Sequence, residues 1–390
     1  MTQAVAITGV GVVAPCGIGS DAFWEGLHRQ PADGDRVFSE WDPSPWFANP
    51  KEARRADPFT QYALAASAEA LEQAGELTAD PARIGVMIGT GIGGIRTNET
   101  QIIIRHEKGS RRVSPFLIPM MMPNAAAASA SMRYGFQGPC EAIVTACAAG
   151  THSIGAALNT IRTGRCDVML AGGSEAPTCP TALAGFGNMT ALSSTGESRP
   201  FDARRNGFVI AEGAALLVLE ELEHAKARGV EILALVLGSA STADAHHITA
   251  PSPGGSGAVR CMELALADAG LKAEDIKQIN AHGTSTPLND AAEAEAVSKV
   301  FGVPGPPVTS TKGVTGHALG AAGALEAAAL VLSIQKEAIP PTFGFEERDA
   351  ELPEIDIVHG EPRRWTPAPA ISNSFGFGGH NGSVIIGPAE

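Results

Sequence analysis

The sequence has few basic residues and no organised cysteine pattern. Lys and Arg total 28 against 42 Asp and Glu, so the formal net charge is −14. This balance argues against nucleic acid as a general partner, although a local basic patch would still suit an acidic protein. The 6 cysteines include no CxxC pair, so we predict neither a metal site nor a disulfide framework, and the cysteine usage favours a reducing cytoplasm.

Long apolar runs are the second feature that the sequence lacks. We judge no stretch apolar for long enough to span a bilayer, and the first residues lack the basic region of a secretory signal. They read instead as a buried strand followed by a turn, so we expect no membrane contact and a cytoplasmic location. With 44% hydrophobic residues and 45 Gly in 390 residues, the composition is typical of a large, well-buried α/β enzyme.

A weak internal repeat organises the chain. Residues 70–75 and 265–270 share the pattern Ala-Leu-x-x-Ala-Gly, and each is followed by an acidic link and an apolar, strand-like segment. Residues 144–161 and 308–325 form a second pair, because each reads as strand, loop and Ala/Gly-rich helix. Both pairs keep their order along the chain, which indicates duplication.

The repeat predicts two halves of similar fold. We place the N-terminal half at residues 1–231, with the candidate nucleophile, and the C-terminal half at residues 232–390, with two candidate histidines and a Gly-rich loop. The seam lies near residues 220–232. Helices this rich in Ala and Gly favour close packing in a buried central layer.

Cys147 has the setting of a nucleophile. A β-branched run ends at Val144 and Thr145, the thiol follows, and small residues open a helical pattern. Free backbone N–H groups at a helix start favour the thiolate, so we expect a lowered pKa. A lone Cys in an apolar stretch is more often a small core residue, but the distant His282 and His317 favour a cysteine nucleophile.

Two charged residues are predicted to be buried near His317. Lys312 lies five residues before it and Glu326 nine residues after it, and residues 319–332 are otherwise Ala, Gly, Leu and Val. A single carboxylate in so apolar a helix should be paired. We therefore expect Lys312 and Glu326 to neutralise one another and to orient His317.

Five motifs carry a family resemblance. They are Thr-Ala-Cys-Ala-Ala-Gly at 145–150, Glu-Gly at 212–213, Asn-Ala-His-Gly-Thr-Ser-Thr at 280–286, Ser-Thr-Lys-Gly-Val-Thr-Gly-His at 310–317 and Asn-Ser-Phe-Gly-Phe-Gly-Gly at 373–379. In this order they resemble the elongating β-ketoacyl-acyl carrier protein synthases, the group of fatty-acid synthase II condensing enzymes and type II polyketide ketosynthases. The resemblance covers nearly the whole chain. It implies an α/β thiolase fold, with duplicated halves in a five-layered αβαβα sandwich.

The resemblance also implies an activity, a decarboxylative Claisen condensation of malonyl-carrier protein with an acyl chain held as a thioester on Cys147. His282 and His317 would stabilise the enolate, and the backbone N–H groups of Cys147 and Phe377 would form the oxyanion hole. Phe377 and Phe186 resemble gate residues. No metal or other cofactor is implied, because the substrates arrive on the phosphopantetheine arm of an acyl carrier protein.

Further residues are assigned to binding by the resemblance. Thr284 and Thr286 suit the pantetheine arm, and Asn98 lies near the expected floor of the acyl pocket. A polar floor suggests an unsaturated, oxygenated or shorter chain, or a pocket completed by a partner subunit. Acyl carrier proteins are acidic, so positive charge is needed near the tunnel mouth. The candidates for carrier binding are Lys51, Arg54, Arg55, Arg111 and Arg112.

Three activities stay open from the sequence. The chain is an active elongating enzyme, a catalytically silent chain-length-factor-like partner of the same fold, or a thiolase or initiating synthase. A silent partner normally lacks the nucleophile, a thiolase uses a second cysteine near the C-terminus, and an initiating synthase pairs Cys with His and Asn. Here the last cysteine is Cys261 and two histidines occur in the motifs, which favours the elongating enzyme. The pathway, the chain length and the choice between homodimer and heterodimer stay open.

Overall fold

The computed structural model describes residues 4–31 and 33–389, along which strands and helices alternate. The strands are β1 (Val5–Ala14), β2 (Gly17–Ile18), β3 (Ile84–Gly89), β4 (Cys140–Glu141), β5 (Val168–Glu175), β6 (Gly213–Glu221), β7 (Ala234–Ala243), β8 (Gln278–Asn280), β9 (Val308–Thr309), β10 (Ala338–Ile339), β11 (Arg363–Arg364), β12 (Ala370–Gly376) and β13 (His380–Gly387). The helices are α1 (Ser20–Gly26), α2 (Pro50–Ala53), α3 (Pro58–Ala74), α4 (Ile95–Lys108), α5 (Leu117–Met121), α6 (Ala125–Tyr134), α7 (Ala149–Arg162), α8 (Pro180–Asn188), α9 (Leu222–Ala227), α10 (Ser256–Ala269), α11 (Pro287–Phe301), α12 (Lys312–Thr315) and α13 (Ala322–Lys336). Short 3₁₀ turns, Ala146–Ala148 and Leu319–Ala321, lead into α7 and α13.

The sheet topology repeats the same unit twice. The first five strands run in the order β4-β3-β5-β6-β1 and the second five in the order β9-β8-β12-β13-β7. Matching neighbours pair in the same sense: β3 is parallel to β4 and β5, as β8 is to β9 and β12, and the remaining pairs of each unit are antiparallel. The predicted duplication is therefore confirmed. The residue at which the halves divide stays a prediction.

The two halves join into one sheet through β1 and β7. These strands pair over only three residues of each, Val5–Ile7 with Ala234–Val236. Helices α7 and α13 contact strands of both halves and each other, whereas α3 packs on β1 and β6, and α10 packs on β7 and β13. The five strands of each half form one layer of their own. The layers are thus helix, sheet, central helix pair, sheet and helix, as predicted for the thiolase fold.

The central helices approach each other through glycine. A Cβ on Gly150 of α7 would lie 2.8 Å from the backbone nitrogen of Ala324, and a Cβ on Gly323 of α13 would lie 2.1 Å from Oγ1 of Thr151. Neither distance is compatible with a normal Cβ contact, so any larger residue would separate the helix starts. The Ala/Gly content seen in the sequence therefore sets how closely the catalytic ends of α7 and α13 meet.

Helix α13 corrects our expectation that no segment is apolar for long enough to span a bilayer. With its preceding turn, the segment Leu319–Lys336 is long and apolar enough, by length and composition alone, to count as a candidate membrane span, which we did not predict. In the fold, however, 89% of that segment is buried. It is therefore a core helix between the two halves.

Candidate active site

Cys147 lies on the turn that joins the edge of the first sheet to the central layer. The chain leaves β4, passes through Ala146 with a positive φ of 50°, and enters α7 at Ala149. The Cys147 side chain is buried, with 7% of the residue exposed. The predicted position before an Ala-rich helix is correct, although a 3₁₀ turn rather than an α-helical turn carries the thiol.

A cavity of about 520 Å³ brings the predicted site residues together. It opens between the two halves and combines polar side chains with aromatic rings. The predicted residues that line it are Cys147, Phe186, His282, Thr284, Thr286, His317 and Phe377. Motifs that are far apart in the sequence thus converge on one thiol.

His317 contacts the thiol directly. Its Nε2 atom lies 3.0 Å from Cys147 Sγ, and its residue is 3% exposed. The backbone of His317 is held by a short ladder, because its N–H donates to the carbonyl of Val209 at 2.7 Å and its carbonyl accepts from the N–H of Ala211 at 3.0 Å. Burial and the nearby Lys312 hold the pKa of His317 well below its usual range, so the ring is neutral.

The predicted lowering of the thiol pKa is wrong. Burial raises the pKa of Cys147 to about 12, and the charge of Lys312 and the backbone N–H of Phe377 oppose this effect without reversing it. The sequence shows a helix start, but it does not show that side chains from distant segments close over the sulfur. The resting side chain is therefore a thiol, whose charge must develop during the reaction.

Lys312 and Glu326 form the predicted buried pair. Both are 1% exposed, and Lys312 Nζ donates to Glu326 Oε1. Burial raises the pKa of Glu326 to about 7, and Lys312 opposes that rise. The orientation that we predicted is wrong in one respect, because Lys312 contacts His282 rather than His317, with Nζ 2.5 Å from the His282 carbonyl oxygen and 3.3 Å from its Nδ1 atom.

This contact sets the tautomer of His282. An ammonium group only donates hydrogen bonds, so Nδ1 of His282 must accept and the proton of the neutral ring must sit on Nε2. Burial, with the charge of Lys312, holds the pKa of His282 well below its usual range. The rings of His282 and His317 meet edge to face with their centroids 5.2 Å apart. Two neutral imidazoles therefore stand side by side next to the thiol.

Two further carboxylates, which we did not predict, shape the backbone at His282. Glu293 accepts from the N–H groups of His282 and Gly283, at 2.7 Å each, and Asp290 accepts from those of Thr284 at 3.0 Å and Ser285 at 3.1 Å. Burial raises the pKa of Glu293 to about 8 and also raises that of Asp290. The available signal was two acidic residues, three apart, in the helix that directly follows the motif.

Aromatic side chains also extend the site beyond the prediction. Phe208 packs edge to face between His317, at 5.3 Å between centroids, and Phe186, at 5.6 Å. Phe375 lies 5.8 Å from the His282 ring. The sequence offered no signal for Phe208, because its segment, 201–212, is irregular.

The turn after β12 reaches the thiol through a glycine. A Cβ on Gly376 would lie 3.0 Å from the Thr145 carbonyl oxygen and 3.1 Å from the Cys147 nitrogen. The backbone N–H groups of Cys147 and of Phe377 both interact with the sulfur and lower its pKa. Gly376 therefore permits the approach that places two N–H groups, one from each half, at the same atom.

Other predicted residues lie away from this cavity. Asn98 is half-buried on α4 and is not among the residues that line the cavity. The five basic residues proposed for carrier binding are exposed on and after α2 and before α5. The Arg55 guanidinium lies 4.2 Å from the centroid of the Phe116 ring, so the side chains of these two exposed residues are in contact.

Comparison with known families gives two adjoining matches. The model described as "Beta-ketoacyl synthase, N-terminal domain" matches residues 33–225, and "Beta-ketoacyl synthase, C-terminal domain" matches residues 233–346. The chain is 43% identical to "3-oxoacyl-[acyl-carrier-protein] synthase 2" of Synechocystis, with 97% of this chain and 96% of that protein covered. It is also 43% identical to the protein of the same name from Rhizobium meliloti, with 98% of each covered.

Solved structures agree with these matches along the full length. A β-ketoacyl synthase from Burkholderia phymatum is 33% identical and superposes with a TM-score of 0.91, and the ishigamide ketosynthase/chain length factor is 32% identical with a TM-score of 0.93. A type II polyketide ketosynthase, solved with its acyl carrier protein and bound to a hexaketide, is 32% identical with a TM-score of 0.90. All three comparisons cover 100% of both chains.

Proposed function

The chain belongs to the β-ketoacyl synthase family, and we propose that it is an elongating acyltransferase, which condenses malonyl-carrier protein with an acyl chain held on Cys147. The observation that carries the proposal is the 3.0 Å contact between Cys147 Sγ and His317 Nε2, in a cavity that also holds His282. A thiol beside two neutral imidazoles suits both acyl transfer and enolate stabilisation.

The first step is transfer of the acyl chain to Cys147. The sulfur attacks the thioester carbonyl, the bond from the carbonyl carbon to the carrier arm breaks, and the departing thiolate takes up the proton that the thiol gives up. Because burial opposes charge on the sulfur, the charge of Lys312 and the backbone N–H groups of Phe377 and Cys147 must offset that cost as the thiolate develops. The N–H groups of Cys147 and Phe377 then bind the tetrahedral oxyanion.

The second step is condensation. Malonyl-carrier protein loses carbon dioxide, and the electron pair of the broken C–C bond forms an enolate whose oxygen accepts from ring N–H groups of His282 and His317. The enolate carbon attacks the thioester carbonyl on Cys147, and the C–S bond to the enzyme breaks. The products are a β-ketoacyl chain two carbons longer on the carrier and the Cys147 thiolate, which takes up a proton from solvent to restore the thiol. Lys312 and Glu326 act on His282 as positioning residues.

Residues that line the same cavity are candidates for the gate and for binding of the pantetheine arm. Phe377 lies on the turn at Gly376–Gly379, next to the thiol, and we assign it as the gate that admits the acyl chain, with Phe186 as a second gate residue at the cavity wall. Thr284 and Thr286, whose hydroxyls lie 2.9 Å apart, are assigned to the pantetheine arm. Asn98 has no contact with this cavity that would support its proposed role at the pocket floor, so that role stays a prediction.

Each proposed step uses side chains or backbone groups of the chain, so the proposal requires no resident metal or cofactor. The substrates are carried on the phosphopantetheine arm of an acyl carrier protein, which we propose as the partner in a cytoplasmic pathway. One related solved structure contains a chain length factor, which supports a heterodimer with a homologous subunit, and another contains an acyl carrier protein. A homodimer is the alternative assembly that we propose.

The purified protein should lengthen the acyl chain of acyl-carrier protein by two carbons. We expect intact-mass spectrometry to show a stable acyl adduct on Cys147 with acyl-carrier protein alone, and a β-ketoacyl-carrier product once malonyl-carrier protein is added. A series of acyl chain lengths, with and without any co-encoded homologue, distinguishes an active enzyme from a silent partner. Failure to form either the adduct or the product under all these conditions would overturn the proposed function.

Charge reversal at two of the exposed basic residues proposed for carrier binding should weaken that binding. We expect the double variant Lys51→Glu/Arg112→Glu to raise the KM for acyl-carrier protein roughly tenfold, with kcat within about twofold and a weaker dependence of KM on salt. Both residues are exposed, so the fold should be unaffected.

Two controls make this measurement specific. Lys272→Glu reverses an exposed charge that pairs with Glu274 on the C-terminal half and should leave the KM unchanged. A small acyl thioester without the carrier protein should be used equally well by wild type and the double variant. An unchanged KM for the carrier in Lys51→Glu/Arg112→Glu would remove these residues from the docking surface.

A further inference from the structure

The two N–H groups at the sulfur come from segments that are joined only by folding. Cys147 belongs to the turn before α7 in the N-terminal half, whereas Phe377 belongs to the turn between β12 and β13 in the C-terminal half. An oxyanion hole works only when its donors are held at fixed positions relative to each other. Some contact must therefore fix one turn against the other.

The imidazole of His152 makes such a contact. His152 lies on α7, one turn beyond the thiol, and its Nδ1 atom is 2.8 Å from Oγ1 of Thr145, two residues before Cys147. Its Nε2 atom is 3.0 Å from the carbonyl oxygen of Asn381, which follows the Phe377 turn. A carbonyl only accepts, so Nε2 carries the proton, and Nδ1 accepts from the Thr145 hydroxyl. Burial lowers the pKa of His152, which favours this neutral form.

The strand that receives the ring is built to accommodate it. A Cβ on Gly382 of β13 would lie 2.9 Å from Cδ2 of His152, so glycine is needed where the ring packs. On the far side, the Asn381 side chain donates to Asp244 Oδ1 at 2.8 Å, and Asp244 Oδ2 accepts from the N–H of Ser252 at 2.9 Å. The N–H of Asp244 donates to the carbonyl of Gly379 at 2.9 Å, within the Phe377 turn. The His152 ring is thus one member of a hydrogen-bonded chain that anchors this turn.

We propose that His152 is a positioning residue for the oxyanion hole, and that its ring sets the spacing between the N–H donors of Cys147 and Phe377 by holding Thr145 and Asn381 together. The inference rests on the proposed function, because it assigns that hole to acyl transfer. It predicts a selective defect. Acylation of Cys147 by an acyl thioester forms an oxyanion that needs both N–H donors. Alkylation of the same thiol by iodoacetamide forms no oxyanion, and these N–H groups affect it only through the pKa of the sulfur.

Two variants divide the contacts of the ring. His152→Asn offers an oxygen near the position of Nδ1 and loses the contact to Asn381, and His152→Gln offers an N–H near the position of Nε2 and loses the contact to Thr145. We expect each to slow single-turnover acylation by acyl-carrier protein roughly ten- to a hundredfold, with a several-fold smaller effect on iodoacetamide alkylation. Combined with Cys147→Gln, each variant should retain malonyl-carrier decarboxylation, which uses His282 and His317.

A matched control removes a neighbouring hydrogen bond. Thr151 Oγ1 lies 2.8 Å from Ser374 Oγ and also joins α7 to β12, but this hydrogen bond involves neither Thr145 nor Asn381. Thr151→Val should therefore keep acylation within about twofold. Wild-type acylation rates in both His152 variants would overturn the inference, and so would a parallel fall in alkylation or in decarboxylation, because either would indicate a general loss of structure. Absence of acylation in the wild-type protein would instead count against the proposed function.

Discussion

Replacing Cys147 with Gln is expected to abolish condensation while malonyl-carrier decarboxylation continues. The amide cannot hold an acyl chain, so elongation should fall by at least roughly a thousandfold. In the proposed mechanism His282 and His317 stabilise the enolate, and the change at Cys147 leaves the contact between Lys312 Nζ and His282 Nδ1 in place. The two activities therefore depend on different groups of one cavity.

Mass spectrometry of the carrier proteins measures both activities in one reaction, as conversion of malonyl-carrier to acetyl-carrier protein and as formation of the β-ketoacyl product. Cys147→Ala should also lose elongation, whereas Cys166→Ala, at another buried thiol in the core, should retain it. Full elongation by Cys147→Ala would refute the mechanism. Loss of both activities in a folded Cys147→Gln protein would refute separate roles for the thiol and the histidines.

Replacing Lys312 with Met is expected to cause the largest loss of stability. The change leaves the Glu326 carboxylate buried without its partner, and breaking a buried pair on one side costs about 3–5 kcal/mol. The double variant Lys312→Met/Glu326→Leu removes both charges and should recover most of that free energy of unfolding. It should not recover activity, because Nδ1 of His282 loses its donor.

The loss of stability in Lys312→Met should increase with pH. Burial raises the pKa of Glu326 from 4.5 to about 7 in the folded protein, so its ionisation opposes folding, and stability falls as the pH rises through this window. Without the ammonium group the pKa rises further. The deficit of Lys312→Met in chemical denaturation should therefore be larger at pH 8 than at pH 5, relative to wild type. A deficit independent of pH, or a double variant as unstable as the single one, would contradict a buried ion pair.

The sequence allowed prediction of features that depend on local pattern. The duplicated strand-loop-helix units, the buried Ala/Gly-rich helices and the thiol before α7 follow from composition and periodicity, and the structure has them where expected. The pairing of Lys312 with Glu326 followed from the cost of an unpaired carboxylate in an apolar helix. The family resemblance added what the residues alone could not, namely the five-layered arrangement and the reaction.

The errors concern side chains whose environment is built by distant segments. The pKa of Cys147 rises because residues from the C-terminal half close over it, which desolvates the sulfur by more than the start of α7 compensates. Lys312 contacts His282 rather than His317 because spacing along the chain does not show which way a buried side chain extends. Asp290 and Glu293 were missed because their partners are backbone N–H groups. Nearly every residue has such a group, so the sequence does not show which of them a carboxylate will bind.

The repeated topology has a consequence for how chemistry is divided within one chain. The turn before α7 carries Cys147, and the corresponding turn before α13 begins two residues after His317. Equivalent ends of the two copies therefore bear different groups, which meet at 3.0 Å. A symmetric pair of identical units would place like against like and hold either two thiols or two bases. Sequence divergence between the copies is therefore what makes the centre work, and an isolated half would retain a nucleophile or its histidines but never both.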